Sequence, residues 1–181
     1  MHKDSDIWVF GYGSLMWNPG FPFVEARPAH LQGYHRAFCL YSEHYRGTPE
    51  RRGLVLGLDQ GGSCLGRAFR VAAAEADAAM DYLIKREMFG HEVDVYELRW
   101  LPVTLGDTVE DANAACFVVN PAHDHYAGKL SPEKISEIIA RASGTSGTNR
   151  EYLTNTITQL DELGIADGPL HELSRLVGDL P

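Results

Sequence analysis

Strand-like segments fill the first two thirds of this 181-residue chain, and helical segments fill the last third. We predict strands in six short, largely apolar segments that precede residue 120. They are Ile7–Phe10, Arg36–Tyr41, Gly53–Leu58, Cys64–Val71, Glu97–Val103 and Ala114–Val119. Gly61 and Gly62 predict a turn that makes Cys64–Val71 the hairpin partner of the strand before it. This order of elements predicts an α+β fold.

One helix is predicted between the strands and three after them. Ala72–Met88 is rich in Ala, Glu, Asp, Leu and Lys, which favours a helix. After the strands, Ser131 as N-cap and Pro132 as first helical residue start one helix, which ends at the interruption Gly144–Asn149. Thr148 or Asn149 caps the next helix, which ends at Gly164, and a last short helix starts after Pro169. No repeat or linker divides the chain, so we expect one domain over residues 1–181.

Charge and composition exclude several classes of protein. The chain has 25 acidic and 16 basic residues and a net charge of -9, so we expect no nucleic-acid partner. No apolar run approaches the ~20 residues that span a bilayer, and the first residues are too polar for a signal peptide. We expect the three widely spaced cysteines to be buried thiols in a reducing, cytoplasmic protein. The sequence does not indicate an oligomeric state.

The middle helix carries an acidic residue among its apolar ones. On a helical wheel, the apolar arc comprises Ala73, Ala76, Met80, Leu83 and Ile84, whereas the solvated residues are Glu75, Asp81, Lys85 and Arg86. Glu87 falls within the apolar arc, in the last turn of the helix. Burial and the helix dipole would both raise the pKa of its carboxyl toward the range of a general base. In the alternative interpretation the helix frays, and Glu87 is exposed or paired with an arginine.

The first strand ends in an unusual turn, which the sequence writes as GYGSL over residues 11–15. Glycine allows positive φ at Gly11 and Gly13, and consecutive N–H groups could then converge on an anion or oxyanion. Ser14 adds a hydroxyl, and Tyr12 and Trp17 could form walls of a pocket. The alternative is a tight turn whose aromatic side chains pack in the core.

Three further candidates have a structural and a functional interpretation. The basic loop that holds Arg46, Arg51 and Arg52 could attract a carboxylate substrate or could simply be solvated. Tyr152 lies beside the apolar stripe of its helix, as a core-edge residue or as a pocket hydroxyl. The segment His123–His125 could be a metal pair, but a solvated loop is the better interpretation and we predict no metal site.

The sequence contains no phosphate loop, dinucleotide fingerprint, zinc-protease motif or nucleophile elbow. We therefore expect a function that needs no cofactor.

Four motifs occur in a fixed order along the chain: FGYGSLMWNPGF, GYHRAFCL, KREM and GTNREYL. In this combination, from about Trp8 to Gly164, the sequence resembles the ChaC-type γ-glutamylcyclotransferases, especially their bacterial branch. The resemblance implies a γ-glutamylcyclotransferase-like fold, which is a small mixed β-barrel with helices packed around it. It also implies cleavage of glutathione to 5-oxoproline and cysteinylglycine.

The resemblance also implies roles for individual residues. Glu87 of KREM matches the family's catalytic glutamate, so the motif and the helical wheel select the same residue. The substrate-holding loop matches Tyr12, Gly13, Ser14 and Leu15, and the pocket tyrosine matches Tyr152. One departure is His91, which stands where family members commonly carry a tyrosine after the glutamate. Two alternatives stay open: the same chemistry on a γ-glutamylamine or a γ-glutamyl dipeptide, and a non-catalytic module that binds a small anion.

Overall fold

The computed structural model describes residues 5–88, 95–106 and 110–180 of the chain. The strands are β1 (Ile7–Gly11), β2 (Glu25–Ser42), β3 (Gly53–Val71), β4 (Tyr96–Leu105), β5 (Glu110–Val119) and the two-residue strands β6 (Ser143–Gly144) and β7 (Gly147–Thr148). The helices are α1 (Ala73–Met88), α2 (Pro132–Arg141), α3 (Asn149–Glu162) and α4 (Gly168–Gly178), and Ser14–Met16 forms a single 3-10 turn.

Five strands form a closed barrel in the order β1-β3-β2-β4-β5. β1 pairs antiparallel with β3, with Ile7 opposite Val71, and parallel with β5, with Trp8 opposite Ala114. The β1–β5 pairing closes the barrel and makes it mixed, since β4 and β5 are antiparallel. The mixed barrel that the resemblance implies and the α+β class predicted from the order of elements are therefore confirmed.

The barrel strands are longer than the sequence predicts, β2 and β3 most of all. The predicted hairpin turn at Gly61 and Gly62 is wrong, because β3 continues through both glycines. Their φ angles of 98° and 66° are absorbed within the strand, where a glycine can take a local kink without reversing the chain. β2 begins at Glu25, well before the predicted start at Arg36, because its polar first half obscures the alternating burial of residues such as Ala29 and Leu31.

Helix α1 packs on the barrel strands in one apolar cluster. Its buried contributors are Ala76, Ala79 and Leu83, which meet side chains of β1, β3 and β5 such as Phe69 and Phe117. The predicted place of Ile84 in the buried arc is wrong, because its side chain is 39% exposed. The buried face is rotated toward Ala79, since the wheel cannot show which side of an apolar arc the strands cover.

The described chain divides into two compact units. The first comprises Met1–Arg36 and Leu58–His123, and the second comprises Ala37–Gly57 and Asp124–Pro181. In the second unit α2, α3 and α4 pack against one another. β2 and β3 each contribute residues to both units, and the single domain expected from the sequence stays a prediction. No helix among the described residues is long and apolar enough to cross a membrane.

Capping signals in the sequence define the helix starts of the second unit. The Ser131 hydroxyl accepts a hydrogen bond from the Lys134 N–H, and Pro132 is the first helical residue, as predicted. Of the two caps proposed for α3, the structure selects Thr148, which forms a reciprocal capping box with Glu151. α4 starts at Gly168, with Asp167 as its cap and Pro169 inside its first turn rather than before it.

Candidate active site

The turn that follows β1 is a compact element with a buried core side and an exposed hydroxyl. The Met16 N–H donates to the Gly13 carbonyl at 2.9 Å, and the Asn18 N–H donates to the Ser14 carbonyl at 2.8 Å. Tyr12 and Leu15 are buried, whereas Ser14 is exposed. The Ser14 and Leu15 N–H groups precede the first helical hydrogen bond, so they are not donors within the 3-10 turn.

The predicted reason for the two glycines is wrong, because neither has positive φ. Gly13 has a φ of -135°, and neither it nor Gly11 is among the left-handed residues of the described chain. Gly11 instead allows a close approach, since an added Cβ would lie 3.1 Å from Leu15 Cβ and 3.3 Å from the Phe69 ring. At Gly13 an added Cβ would meet nothing within 4 Å, so this position faces open space.

Two arginines hold the turn through its carbonyl oxygens. Arg36 is buried and donates from Nε to the Tyr12 carbonyl and from Nη2 to the Leu65 carbonyl at 2.7 Å. Arg67 donates from Nη1 to the Met16 carbonyl at 3.2 Å. Neither role was predicted from the sequence, although an arginine at the start of the apolar run RAFCL indicates a side chain that must be paired if it is buried.

Glu87 lies within the last turn of α1 and is largely buried, with 18% of its side chain exposed. Burial raises the pKa of its carboxyl, and the smaller effect of the Arg86 guanidinium lowers it. The predicted direction of the pKa is therefore confirmed. Each of the two interpretations of this residue is correct in part. Glu87 is largely buried, as the helical wheel predicts, and it is also paired with an arginine, since Arg86 Nε lies 3.4 Å from Glu87 Oε1.

Arg86 was predicted to be solvated, and this is wrong. Its side chain is only 21% exposed. It donates from Nη2 to the Ser14 hydroxyl at 2.8 Å, and from Nη1 to the Asn18 carbonyl at 2.8 Å and the Tyr82 hydroxyl at 3.1 Å. The helical wheel missed this because it cannot represent a distant segment that lies against the end of a helix. Arg86 thus connects Glu87 to the turn after β1.

In the second unit, Tyr152 and Arg46 contact each other. The Tyr152 hydroxyl accepts a hydrogen bond from the Leu56 N–H at 3.4 Å, and its ring packs edge-on to Phe38. The Arg46 guanidinium lies 5.3 Å from the centre of the Tyr152 ring and donates to the Thr148 carbonyl at 3.3 Å. Arg46 is therefore held in the fold rather than solvated, and Tyr152 has the contacts of a core-edge residue. The assignment of both residues to substrate binding stays a prediction.

Comparison with known proteins gives the family. Residues 7–180 match the model of the ChaC-like protein family. The chain belongs to this family. It is 38% identical to the glutathione-specific γ-glutamylcyclotransferase of Escherichia coli, over 94% of this chain and 72% of that protein. It is 33% identical to γ-glutamylcyclotransferase 2-3 of Arabidopsis thaliana, over 94% of this chain and 88% of that protein.

The fold of this ChaC-like chain also matches a solved structure. The crystal structure of a yeast γ-glutamyl cyclotransferase specific to glutathione aligns with a TM-score of 0.84 and 22% sequence identity. The alignment covers 97% of this chain and 96% of the yeast chain. The γ-glutamylcyclotransferase-like fold implied by the motifs is therefore confirmed.

The remaining candidate residues that the structure describes have contacts typical of a structural role. His125 lies 3.7 Å from Glu43, and the residues that the structure describes contain no group of three or more His, Cys, Asp or Glu arranged to hold a metal. All three cysteines are buried free thiols, as predicted, and burial raises the pKa of Cys116 to about 12. Arg52 pairs with Glu43 at 2.6 Å. His91, the departure from the family motif, lies outside the described residues.

Proposed function

We propose that this protein is a γ-glutamylcyclotransferase that cleaves glutathione to 5-oxoproline and cysteinylglycine. The observation that carries the proposal is the similarity, over nearly the whole chain, to the E. coli enzyme of that name. Glu87 supports it from the structure, since a largely buried carboxyl with a raised pKa suits proton transfer near neutral pH.

The reaction is an internal exchange of one amide for another. The α-amine of the γ-glutamyl group attacks its own γ-carbonyl and closes a five-membered lactam, while the bond from that carbonyl to the cysteine nitrogen breaks. Well-oriented intramolecular reactions reach effective molarities of about 10⁵–10⁸ M, so holding the substrate folded supplies much of the rate. No electron or group carrier takes part, because the products contain all the atoms of the substrate.

Glu87 acts as the general acid and base in this proposal. A free α-amine has a pKa of about 8 and is mostly protonated at neutral pH, so it cannot attack until a base removes its proton. That first proton is lost to solvent. As the lactam bond forms, the attacking nitrogen must lose a second proton, which the Glu87 carboxylate accepts and delivers to the leaving cysteine nitrogen, so that the leaving group departs as a neutral amine. Since the carboxyl ends the cycle as it began, one residue serves both steps.

The turn after β1 holds the substrate in this proposal. Gly11, Tyr12, Gly13, Ser14 and Leu15 are assigned to this role on the motif. The N–H groups of Ser14 and Leu15 and the hydroxyl of exposed Ser14 supply donors, and Gly13 faces open space. These donors bind the α-carboxylate or the oxyanion that develops on the γ-carbonyl. Tyr152 and Arg46 are assigned to substrate binding as well, Tyr152 on its motif and Arg46 on its charge.

Glu87→Gln tests the catalytic assignment. We expect turnover to fall by about 10²–10⁴-fold, because the amide cannot accept the proton, while the similar shape preserves substrate binding. The measurement is 5-oxoproline release from glutathione, with γ-glutamyl-alanine and a γ-glutamylamine assayed beside it.

The matched control is Glu75→Gln, at an exposed position in the first turn of the same helix, which should leave turnover unchanged. A Glu87→Gln protein that releases 5-oxoproline at the wild-type rate would remove Glu87 from the mechanism. If the wild-type protein turns over only another γ-glutamyl compound, that compound replaces glutathione as the proposed substrate. If it turns over none of the three compounds, the remaining hypothesis is a non-catalytic module that binds a small anion.

Gly13→Val tests the turn. The new side chain enters the open space beside the backbone donors, so we expect KM for glutathione to rise about 10-fold or more, equivalent to at least ~1.4 kcal/mol of binding. The control is Gly168→Val, where an added Cβ also meets open space. Unchanged KM in a folded Gly13→Val protein would separate the turn from substrate binding.

A further inference from the structure

Arg86 has more polar contacts than an ordinary residue at the end of a helix. Its guanidinium donates to the Ser14 hydroxyl, to the Asn18 carbonyl and, at 3.3 Å, to the Pro19 carbonyl. Its Nε lies 3.4 Å from the Glu87 carboxylate. One side chain therefore contacts both the exposed hydroxyl of the turn after β1 and the carboxylate proposed as the base.

A second contact keeps the guanidinium in this place. The Tyr82 hydroxyl, one helical turn earlier, accepts a hydrogen bond from Nη1 at 3.1 Å, and the guanidinium lies 6.0 Å from the centre of the Tyr82 ring. Gly20 has a φ of 76°, and an added Cβ there would lie 2.1 Å from the Tyr82 hydroxyl. The chain after the turn thus passes directly against Tyr82, at a glycine whose left-handed φ other residues rarely adopt.

We infer that Arg86 is a positioning residue of the reaction, which fixes the turn at Gly11–Leu15 relative to the Glu87 carboxylate. The inference rests on the proposed function. Its reason is geometric, because a substrate held by the turn reaches the base only if the turn and the last turn of α1 keep a constant separation. A displacement of about 1 Å between such groups is enough to cost about 10²-fold in rate.

The contacts require arginine rather than lysine. The guanidinium presents five N–H donors in a fixed planar fork, so Nη1 and Nη2 can bond the turn while Nε stays beside Glu87. A lysine ammonium is a single point and can hold the charge near Glu87 or one oxygen of the turn, but not all of these acceptors together. The two side chains therefore separate the effect of charge from the effect of position.

The experiment compares Arg86→Met, Arg86→Lys and the control Lys85→Met, which removes a charge from an exposed neighbour on the same helix. We expect Arg86→Met to lower kcat/KM for glutathione by about 10²-fold, and Arg86→Lys to restore only part of that loss. Lys85→Met should retain the wild-type value. Amide hydrogen exchange of residues 14–18, without substrate, should be faster in both Arg86 variants and unchanged in the control.

The exchange measurement distinguishes failure of this inference from failure of the proposed function. Wild-type protein that releases no 5-oxoproline overturns the proposed function, and the exchange rates then decide alone whether Arg86 holds the turn. Arg86→Met with wild-type kcat/KM and wild-type exchange overturns the inference.

If Arg86→Met does not fold, Arg86→Lys decides the question. Arg86→Lys can make fewer hydrogen bonds to the turn, so wild-type kinetics in this variant would show that the position of the turn does not depend on Arg86. Loss of thermal stability with unchanged kcat/KM in the folded protein would mean a purely structural residue and would also overturn the inference.

Discussion

Glu87 is kept in surroundings that cost the folded protein stability. Its carboxyl is largely removed from water, and its one described ion pair, to Arg86, offsets only part of that loss, so its pKa remains raised. An apolar residue would suit the buried face of α1 better. A buried carboxyl that opposes folding, and whose ion-pair partner Arg86 also bonds the turn after β1, is a sign of chemistry rather than of packing.

This conflict predicts how stability depends on pH. Below the unfolded-state pKa of about 4.3, Glu87 is protonated in both states and contributes no difference. As pH rises past that value the unfolded chain ionises more readily than the folded protein, because the folded pKa is raised, and stability is lost until pH exceeds the folded pKa. We therefore expect Glu87→Gln to have the same melting temperature as wild type near pH 4 and a higher one at pH 8.

The control for this measurement is again Glu75→Gln, whose carboxyl is exposed. It should show no gain in melting temperature over wild type at pH 8. If Glu87→Gln is as stable as wild type, or less stable, at pH 8, then ionised Glu87 does not destabilise the fold, and its burial is no sign of a catalytic role.

At the scale of elements, helices and strands differ in how much of their structure is local. The start of α3 is a local event, since the Thr148 hydroxyl and the Glu151 carboxylate satisfy each other's backbone N–H groups three residues apart. The next residue, Asn149, is buried and binds both the N–H and the carbonyl of Leu54, 95 positions away. The motif GTNREYL therefore combines a helix start, which its sequence predicts, with a strand contact that it does not.

At the scale of the whole molecule, the two compact units share two continuous strands. β2 and β3 each have residues in both units. The helices of the second unit are tied by Arg150, which donates to the carbonyls of Ala140, Val177 and Leu180. From the sequence we predict that both units unfold together, as one cooperative domain.

Arg150→Met tests this cooperativity, because tryptophan fluorescence reports on the first unit and far-UV circular dichroism reports mainly on the helices of the second. Trp8, Trp17 and Trp100 all belong to the first unit, whereas three of the four described helices belong to the second. Loss of the three hydrogen bonds should cost about 2–3 kcal/mol, at roughly 1 kcal/mol for each. In a single domain, tryptophan fluorescence and far-UV circular dichroism should report the same lowered midpoint in urea.

Arg141→Met is the matched control, since Arg141 is exposed at the end of α2, and both midpoints should stay at the wild-type value. A lowered midpoint by circular dichroism with an unchanged fluorescence midpoint would contradict the single domain. The two units would then unfold independently, in spite of the strands that they share.

The sequence by itself determined the class of the fold, the helix caps at Ser131 and Thr148, and the placement of Glu87 on the buried side of α1. The caps depend on residues within one turn of each other, and the fold class and the position of Glu87 in the apolar arc follow from the order and periodicity of apolar segments. Only the tertiary structure decided that β3 continues through Gly61 and Gly62, and that Arg86 bonds Ser14 from 72 residues away. Those outcomes depend on which distant segments the barrel brings into contact, and the helical wheel contains no information about such partners.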